Sequence, residues 1–273
     1  MSPFEAVVLG LVQGLTEFLP ISSSAHLRII GDLLGWGDPG AAFTAVVQIG
    51  TELAVLVYFR RKIWSIIRTW TLSLVRPELR GDLDARMGWY VILGTIPIAV
   101  LGFVFEDEIQ TAARDLRLIA ATLIVLGVVL YLADRSGAHT VSLRQLTLRD
   151  AVLFGLAQAC ALVPGVSRSG ATISMGLALG YRRADAAEYA FLLAVPAVLG
   201  SGIFQIPDVA ALGRDDVWGT VIAAVVAFGV GYATIAWLLR YVSTHDFRPF
   251  VVYRIALGLT VIGLLTTGVL APR

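Results

Sequence analysis

Charged residues are scarce in this sequence: Asp, Glu, Lys and Arg make up 15% of its 273 residues, whereas 57% are hydrophobic. A soluble domain of this size carries about 25% charged residues. The net charge of +1 also argues against a nucleic-acid-binding protein, which requires a concentrated basic face. We therefore expect no nucleic-acid partner and a surface that largely faces membrane lipid.

Cysteine is almost absent, since Cys160 is the single one in the chain. One cysteine excludes an internal disulfide and a cysteine-cluster metal site. Positive charge is missing from residues 1–9, and Glu5 lies within the first apolar run. A cleavable signal peptide begins with a basic region, so we expect none here.

Six apolar stretches are long enough to cross a bilayer, which takes about 20 residues. They lie near 41–59, 88–105, 116–133, 186–206, 217–239 and 250–270. Two further apolar regions, 4–36 and 151–181, are interrupted by PISSSAH at 20–26 and PGVSRSGAT at 164–172. Non-helical backbone at membrane depth is tolerated only where protein or a wet cavity receives its polar groups. The sequence predicts an all-α integral membrane protein with six transmembrane helices and two re-entrant helix–loop–helix hairpins.

Basic residues give the predicted orientation. They concentrate in the predicted loops at 60–87 and 134–150, in the link at 182–183 and in 240–249, whereas 106–117 and 207–216 are balanced toward acid. The positive-inside rule puts the basic segments in the cytoplasm and the acidic ones outside, with both termini outside. The first hairpin then enters from the outer side and the second from the cytoplasmic side.

The two hairpins also correspond weakly in sequence. Each has a Gln, then a Pro, a Ser about three residues on and a Gly pair four apart: Gln13, Pro20, Ser23, Gly31 and Gly35, against Gln158, Pro164, Ser167, Gly176 and Gly180. Together with opposite insertion, this pattern predicts an inverted-topology repeat within a single membrane domain, 1–273. We expect the first repeat over about 1–133, the second over about 151–270, and the two loops to meet near the midplane.

The first loop combines an acid with hydroxyls and an imidazole. Gln13 and Glu17 are four apart and share a helix face that leads to the serine run 22–24 and to His26. An ionisable side chain inside a membrane is costly unless paired or hydrated, which favours a functional site. A hydrogen-bonded packing acid and serines at a close helix contact remain the alternatives.

The second loop has the composition of a phosphate site. Pro164 and Gly165 interrupt the helix, and Ser167, Arg168, Ser169 and Thr172 surround the start of the next one. A helix N-terminus attracts anions, and a guanidinium offers a planar fork of donors to phosphate oxygens. A purely structural pair of this arginine with an acid of the first loop is the alternative. The combined groups suit phosphoryl transfer, which mostly needs positioning and charge neutralisation.

The segments QGLTEFLPISSSAH at 13–26 and PGVSRSGATIS at 164–174 resemble the two signature motifs of the undecaprenyl-diphosphate phosphatase family, the bacitracin-resistance type. The likeness extends along the chain, including FLLAVPA at 191–197 and PFVVYR at 249–254. It implies a bacterial inner-membrane hydrolase that converts a polyprenyl diphosphate to the monophosphate carrier lipid and inorganic phosphate for peptidoglycan synthesis. It also implies a divalent cation, Mg²⁺ or Ca²⁺; a homodimer is left open.

The resemblance also implies site residues by motif position: Glu17 and Gln13 for metal or water, Ser23 and His26 as nucleophile or acid/base, and Arg168 with Ser167, Ser169 and Thr172 for phosphate. Many family members have Glu where this chain has Gln13, so a metal held by a Glu pair is in doubt here. The nucleophile stays open among Ser23, His26 and water, with Ser23 preferred.

Two other functions fit parts of the pattern. Broken helices and inverted repeats also build secondary transporters, so a lipid-phosphate flippase without hydrolysis is the main alternative. An intramembrane serine hydrolase fits less well because no G-x-S-x-G elbow is present.

Two polar residues outside the signature motifs are left with alternatives. Arg254 either reaches the site or extends toward the cytoplasmic surface. Glu52 shares a helix face with Gln48, as a cavity-facing or an interhelical acid.

Because the first loop inserts from outside and acidic outer loops attract a cation, we predict a site that opens to the outer, periplasmic side.

Overall fold

The computed structural model describes residues 1–105, 115–211 and 213–272. Within these ranges the chain forms eleven α-helices: α1 Pro3–Thr16, α2 Ser23–Leu33, α3 Gly40–Tyr58, α4 Arg60–Val75, α5 Leu83–Val104, α6 Leu116–Ser136, α7 Leu148–Ala159, α8 Arg168–Ala178, α9 Arg183–Ala210, α10 Arg214–Val242 and α11 Arg248–Thr266. Extended pairing in the described part of the chain is limited to one bridge between Val141 and Tyr181. The all-α prediction is confirmed.

Six of these helices, α3, α5, α6, α9, α10 and α11, are long and apolar enough to cross a membrane. They correspond one to one with the six predicted spans. Large apolar side chains are exposed on them, for example Phe103 on α5 and Val225 on α10. Exposed apolar side chains in such numbers are expected where a helix faces lipid rather than water.

The segment 60–87 was predicted as a loop, and this was wrong. Most of it is the helix α4, which buries Ile66 while Trp64 and Ile67 are exposed. The many basic residues favoured the prediction of a loop, although the apolar residues of this segment follow the spacing of an amphipathic helix. The segment 207–216 also begins within a helix, since α9 continues through Pro207, and residues 106–114 of the other predicted acidic segment lie outside the described residues.

Both predicted breaks are present, and each separates two short helices. At 1.5 Å per residue, α1, with 14 residues, and α2, α7 and α8, with 11 or 12, fall short of the ~30 Å hydrocarbon core. Ser22 caps α2 and Ser167 caps α8, with φ of 73° and 71°, and each hydroxyl accepts from the backbone N–H three residues on. In a comparison of the two repeats, Ser167 is therefore equivalent to Ser22 and not to Ser23. The number of residues between Ser22 and Ser167 equals the number between Gln13 and Gln158.

The first and second halves of the chain are interleaved. Helix α10 packs against both α1 and α3, and α6 packs against both α8 and α11. Glycines permit the close approach: a Cβ at Gly50 of α3 would overlap the carbonyl oxygen of Ala224 on α10. A Cβ at Gly258 of α11 would lie 2.9 Å from the carbonyl oxygen of Ala120 on α6. Each half thus contributes a long helix to the packing of the other.

Polar contacts gather the connections at one end of the bundle, here called the basic end. Lys62, just after α3, pairs with Glu188 near the start of α9. Ser65 donates to Asp84 at the start of α5, and the backbone N–H of Leu143 donates to Asp185 of α9 at 3.1 Å. The end of α3 and the starts of α5 and α9 therefore lie together.

Candidate active site

The two broken regions meet in the interior of the bundle. Arg168, the first residue of α8, donates to the Glu17 carboxylate just after α1. Ser169 lies 3.1 Å through its Oγ from the carbonyl oxygens of both Glu17 and Leu19. The contacts confirm that the two loops predicted to carry the chemistry lie against each other.

The carboxylate of Glu17 is the centre of this contact. Its Oε2 accepts from Ser23 Oγ at 2.5 Å and from Gln13 Nε2 at 2.8 Å, while Oε1 pairs with Arg168. Glu17 is buried, and so is Ser23. A carboxylate with three donors is held in one orientation, and a hydroxyl at 2.5 Å donates its proton directly to it.

Two helix starts converge on the same point. Helix α2 begins beside Glu17, and α8 begins at Arg168, so their first backbone N–H groups and positive dipole ends lie in the region between the loops. Ser167 Oγ accepts from Gly170 N at 3.1 Å and lies 3.1 Å from Ser169 Oγ. The second loop is therefore ordered by its own serines around an anion-attracting helix end.

Arg254 on α11 connects the two loops through hydrogen bonds to their backbone. It is 0% exposed and donates to the carbonyl oxygens of Pro20 at 3.0 Å, Gly165 at 2.9 Å and Val166 at 3.1 Å. A further bond reaches the carbonyl of Leu123 on α6 at 3.2 Å. The alternative in which Arg254 extends to the cytoplasmic surface is wrong, because its charge is held among carbonyl groups that the breaks leave without helical partners.

His26 of α2 also contacts α11, next to Arg254. Its Nδ1 lies 2.7 Å from the carbonyl oxygen of Ser22, and its Nε2 lies 2.7 Å from the hydroxyl of Tyr253. A carbonyl only accepts, so Nδ1 carries the proton and Nε2 of the neutral ring accepts from Tyr253. Nδ1 thus bonds to the cap of its own helix, and Nε2 holds α2 against α11.

A cavity of about 500 Å³ adjoins the loops. Its polar part is formed by Glu17, Ser22, Ser23, Ser24, Ser167 and Arg168. Its walls come from α3, α5 and α9 and are mostly apolar, with Gln48 among the polar exceptions. The wall residues of α5 belong to its second half, those of α9 to its middle and second half and those of α3 to its first half, so the cavity lies away from the basic end.

The predicted residues differ in their relation to this cavity. Glu17, Ser23, Ser167 and Arg168 line it; Gln13, Ser169, His26 and Thr172 do not. Gln13 and Ser169 bond to Glu17 from behind, as described above. Thr172 is fully buried and donates to the carbonyl of Arg168 at 2.7 Å, so its hydroxyl serves its own helix.

The site also contains residues to which the sequence pattern assigned no definite chemical role. Ser22 and Ser24 line the cavity and lie 3.3 Å apart through their hydroxyls, and Gln48 joins them from α3. Tyr253 precedes Arg254 in the PFVVYR segment, and that segment was the available signal for both.

Comparison with known proteins agrees with this geometry. The sequence profile of the family described as Bacitracin resistance protein BacA matches residues 6–260. The chain is 61% identical to an undecaprenyl-diphosphatase of Nocardioides sp., over 98% of each chain. It is 58% identical to undecaprenyl-diphosphatase 3 of Frankia alni, over 99% of this chain and 97% of the relative, and 56% identical to an undecaprenyl-diphosphatase of Thermobifida fusca, over 100% and 94%. The chain belongs to the bacitracin resistance protein BacA family.

Proposed function

We propose that this chain is an undecaprenyl-diphosphatase of the bacterial cell membrane, which hydrolyses the lipid diphosphate to the monophosphate carrier lipid and inorganic phosphate for peptidoglycan synthesis. Relatives of this name at 56–61% identity along the chain support the activity and the substrate class. The observation that carries the proposal is the buried cluster of Glu17, Ser23 and Arg168, which joins an acid, a hydroxyl and a guanidinium at a cavity with apolar walls.

Ser23 is the nucleophile of the proposed reaction. Its Oγ attacks the terminal phosphorus, the bond from that phosphorus to the bridging oxygen breaks, and the monophosphate lipid leaves. Glu17 Oε2, 2.5 Å from Ser23 Oγ, accepts the hydroxyl proton. Glu17 then gives this proton to the departing monophosphate. In the second step Glu17 accepts a proton from the water that attacks the phosphoserine, the bond from phosphorus to Ser23 Oγ breaks, and Glu17 returns the proton to Oγ as inorganic phosphate is released.

Phosphate binding falls to the second loop. The guanidinium of Arg168 lies at the cavity and supplies donors for the phosphoryl oxygens whose charge increases in the transition state. Ser167 and the starts of α2 and α8 add hydroxyl and backbone donors. Arg254, with carbonyl groups as its hydrogen-bond partners, adds fixed positive charge behind both loops.

His26 positions the first loop and does not attack the phosphorus. Its imidazole does not line the cavity, and its two nitrogens are bound to Ser22 and Tyr253. Through the carbonyl of Ser22 it fixes the residue that precedes the nucleophile.

The proposal includes a divalent cation, Mg²⁺ or Ca²⁺. No group of three His, Cys, Asp or Glu side chains suited to a metal occurs in the described residues, so the protein alone offers few ligands. The buried Oε1 of Gln13 has no hydrogen-bond partner and is a hard oxygen of the required kind. Gln13 would hold the ion together with diphosphate oxygens, whereas three donors already occupy the carboxylate of Glu17, the other predicted ligand. A bound ion would neutralise charge on the diphosphate.

We further propose that the broken regions are re-entrant hairpins of an inverted repeat and that the site opens to the periplasm. The matched serine caps with positive φ support the repeat. The distance of the cavity from the basic end supports the outward side, since basic segments stay in the cytoplasm. The flippase alternative has no support from the relatives, whose names describe a hydrolase.

The test is release of inorganic phosphate from undecaprenyl diphosphate by purified protein in detergent, with and without EDTA. We expect cation-dependent release by the wild type, lost in Arg168→Ala and in Ser23→Ala, and retained in the control Arg144→Ala at the basic end. Folded wild-type protein that binds the lipid but releases no phosphate would overturn the enzyme proposal.

A further inference from the structure

Glu52 on α3 is an acid that the reaction above does not use. It is 1% exposed, and its Oε1 has no hydrogen-bond partner. No ion pair of Glu52 occurs within the described ranges either. Burying a carboxylate inside a membrane protein is unfavourable unless a donor or a cation compensates it. Glu52 therefore needs either a proton or a bound cation at this position.

Glu52 lies beside the Glu17 cluster. The residues next to them in the chain, Thr51 and Phe18, both contact Gly231 of α10. A Cβ at Gly231 would lie 3.3 Å from the Thr51 side chain and 3.0 Å from the Phe18 side chain. Glu52 is also within electrostatic range of Glu17 and Arg168. One helical turn before it, on the same face, Gln48 lines the cavity, so this face of α3 borders the cavity one turn away from Glu52.

A second unsatisfied oxygen belongs to the same cluster. Gln13 is 0% exposed, and its Nε2 donates to Glu17, which leaves Oε1 without a donor. Gln13 Oε1 and Glu52 Oε1 are thus two buried acceptors near Glu17 with nothing to accept from. Glu17 differs, since three donors already occupy its carboxylate. Oxygen acceptors that lack donors are the groups that a hard cation binds.

We propose that Glu52, with Gln13 Oε1, is a protein ligand of a divalent cation of the Mg²⁺ or Ca²⁺ class beside the Glu17–Arg168 pair. This assignment rests on the proposed cation dependence. One carboxylate and one amide oxygen leave most of the coordination shell to water and to diphosphate oxygens, as is usual for Mg²⁺ at phosphate-transfer sites. Glu17 then remains free to accept the proton of Ser23.

The test measures Mn²⁺ binding by electron paramagnetic resonance to the full chain in detergent. Glu52→Gln is expected to weaken Mn²⁺ binding at least about tenfold. The matched control is Glu78→Gln, which removes an exposed acid near the basic end and keeps the wild-type affinity. Gln13→Glu is expected to strengthen binding, since it replaces an amide ligand with a carboxylate.

The unfolding temperature separates a ligand from a structural acid. Without divalent cations, Glu52→Gln should unfold at or above the wild-type temperature, because it replaces an uncompensated acid with a neutral side chain of the same shape. Mn²⁺ should raise the unfolding temperature of the wild type and not that of Glu52→Gln. A variant that is destabilised without cation, or that binds Mn²⁺ like the wild type, overturns the role of Glu52. Wild type that binds no Mn²⁺ and still releases phosphate in EDTA overturns the cation proposal as well, without affecting the phosphatase assignment.

Discussion

At the scale of single residues, the hydroxyl of Ser23 donates to the Glu17 carboxylate at 2.5 Å, at the edge of the cavity. Glu17→Gln keeps the shape of the side chain but removes its ability to accept a proton. We expect phosphate release to fall by about 10²–10⁴, the usual contribution of a positioned acid or base. Steady-state phosphate release under saturating lipid measures this, with Glu5→Gln at the exposed start of α1 as the matched control. Activity within threefold of wild type would exclude Glu17 as the base.

Arg254 makes a separate residue-scale prediction, because it satisfies carbonyl groups of both loops. Arg254→Met would leave at least three buried carbonyls without a donor, at a cost of about 1–3 kcal/mol each. We expect a lower unfolding temperature and loss of phosphate release together, measured by thermal unfolding in detergent. Arg240→Met at the exposed end of α10 is the control and should leave both unchanged. Unchanged stability of Arg254→Met would contradict the bridging role.

At the scale of elements, the serine caps of α2 and α8 are the distinctive feature. Ser167 combines a positive φ with a cap bond to Gly170 N. Ser167→Ala keeps the strained backbone and loses the cap, at about 0.5–2 kcal/mol, whereas Ser167→Gly relieves the strain and costs only a few tenths. Thermal unfolding should therefore rank wild type and the glycine variant above the alanine variant. The reverse order would show that the cap contributes nothing.

Sequence reasoning predicted the elements where the signal is local. The six spans follow from long apolar runs, and both breaks follow from Pro and Gly beside serines. Helix α4 was missed because its arginines resemble a loop, although Ile66 and its neighbours follow helical spacing. Arg254 was left with two alternatives and Tyr253 was given no role, since their partners lie more than 80 residues away in the chain and depend on how α11 packs. Thr172 was predicted to bind phosphate from its position in the motif. The motif does not reveal that its hydroxyl bonds to the backbone of its own helix.

At the scale of the whole molecule, the proposed orientation is testable through the single cysteine. A Cys160→Ala background carries no thiol, so one introduced cysteine reports one position. Ser201→Cys at the cavity should react with a membrane-impermeant maleimide added outside intact cells, whereas Arg144→Cys at the basic end should react only after the membrane is opened. Labelling of the cavity position only in opened cells would place the site on the cytoplasmic side.

The interleaving of the halves has a consequence for how the protein is made. Glu17 and its loop are synthesised first, but α10, which packs on α1, and Arg254, which holds Pro20, follow roughly 240 residues later at the most. At ~5–20 residues per second, translation leaves the first loop without these partners for roughly 12–50 s. During that time, its buried acid and amide must stay hydrated at the membrane surface or be shielded by an insertion factor. The site is thus completed only by the last helix of the chain, and a truncation just before α11 should leave five of the six long apolar helices and an unfinished site.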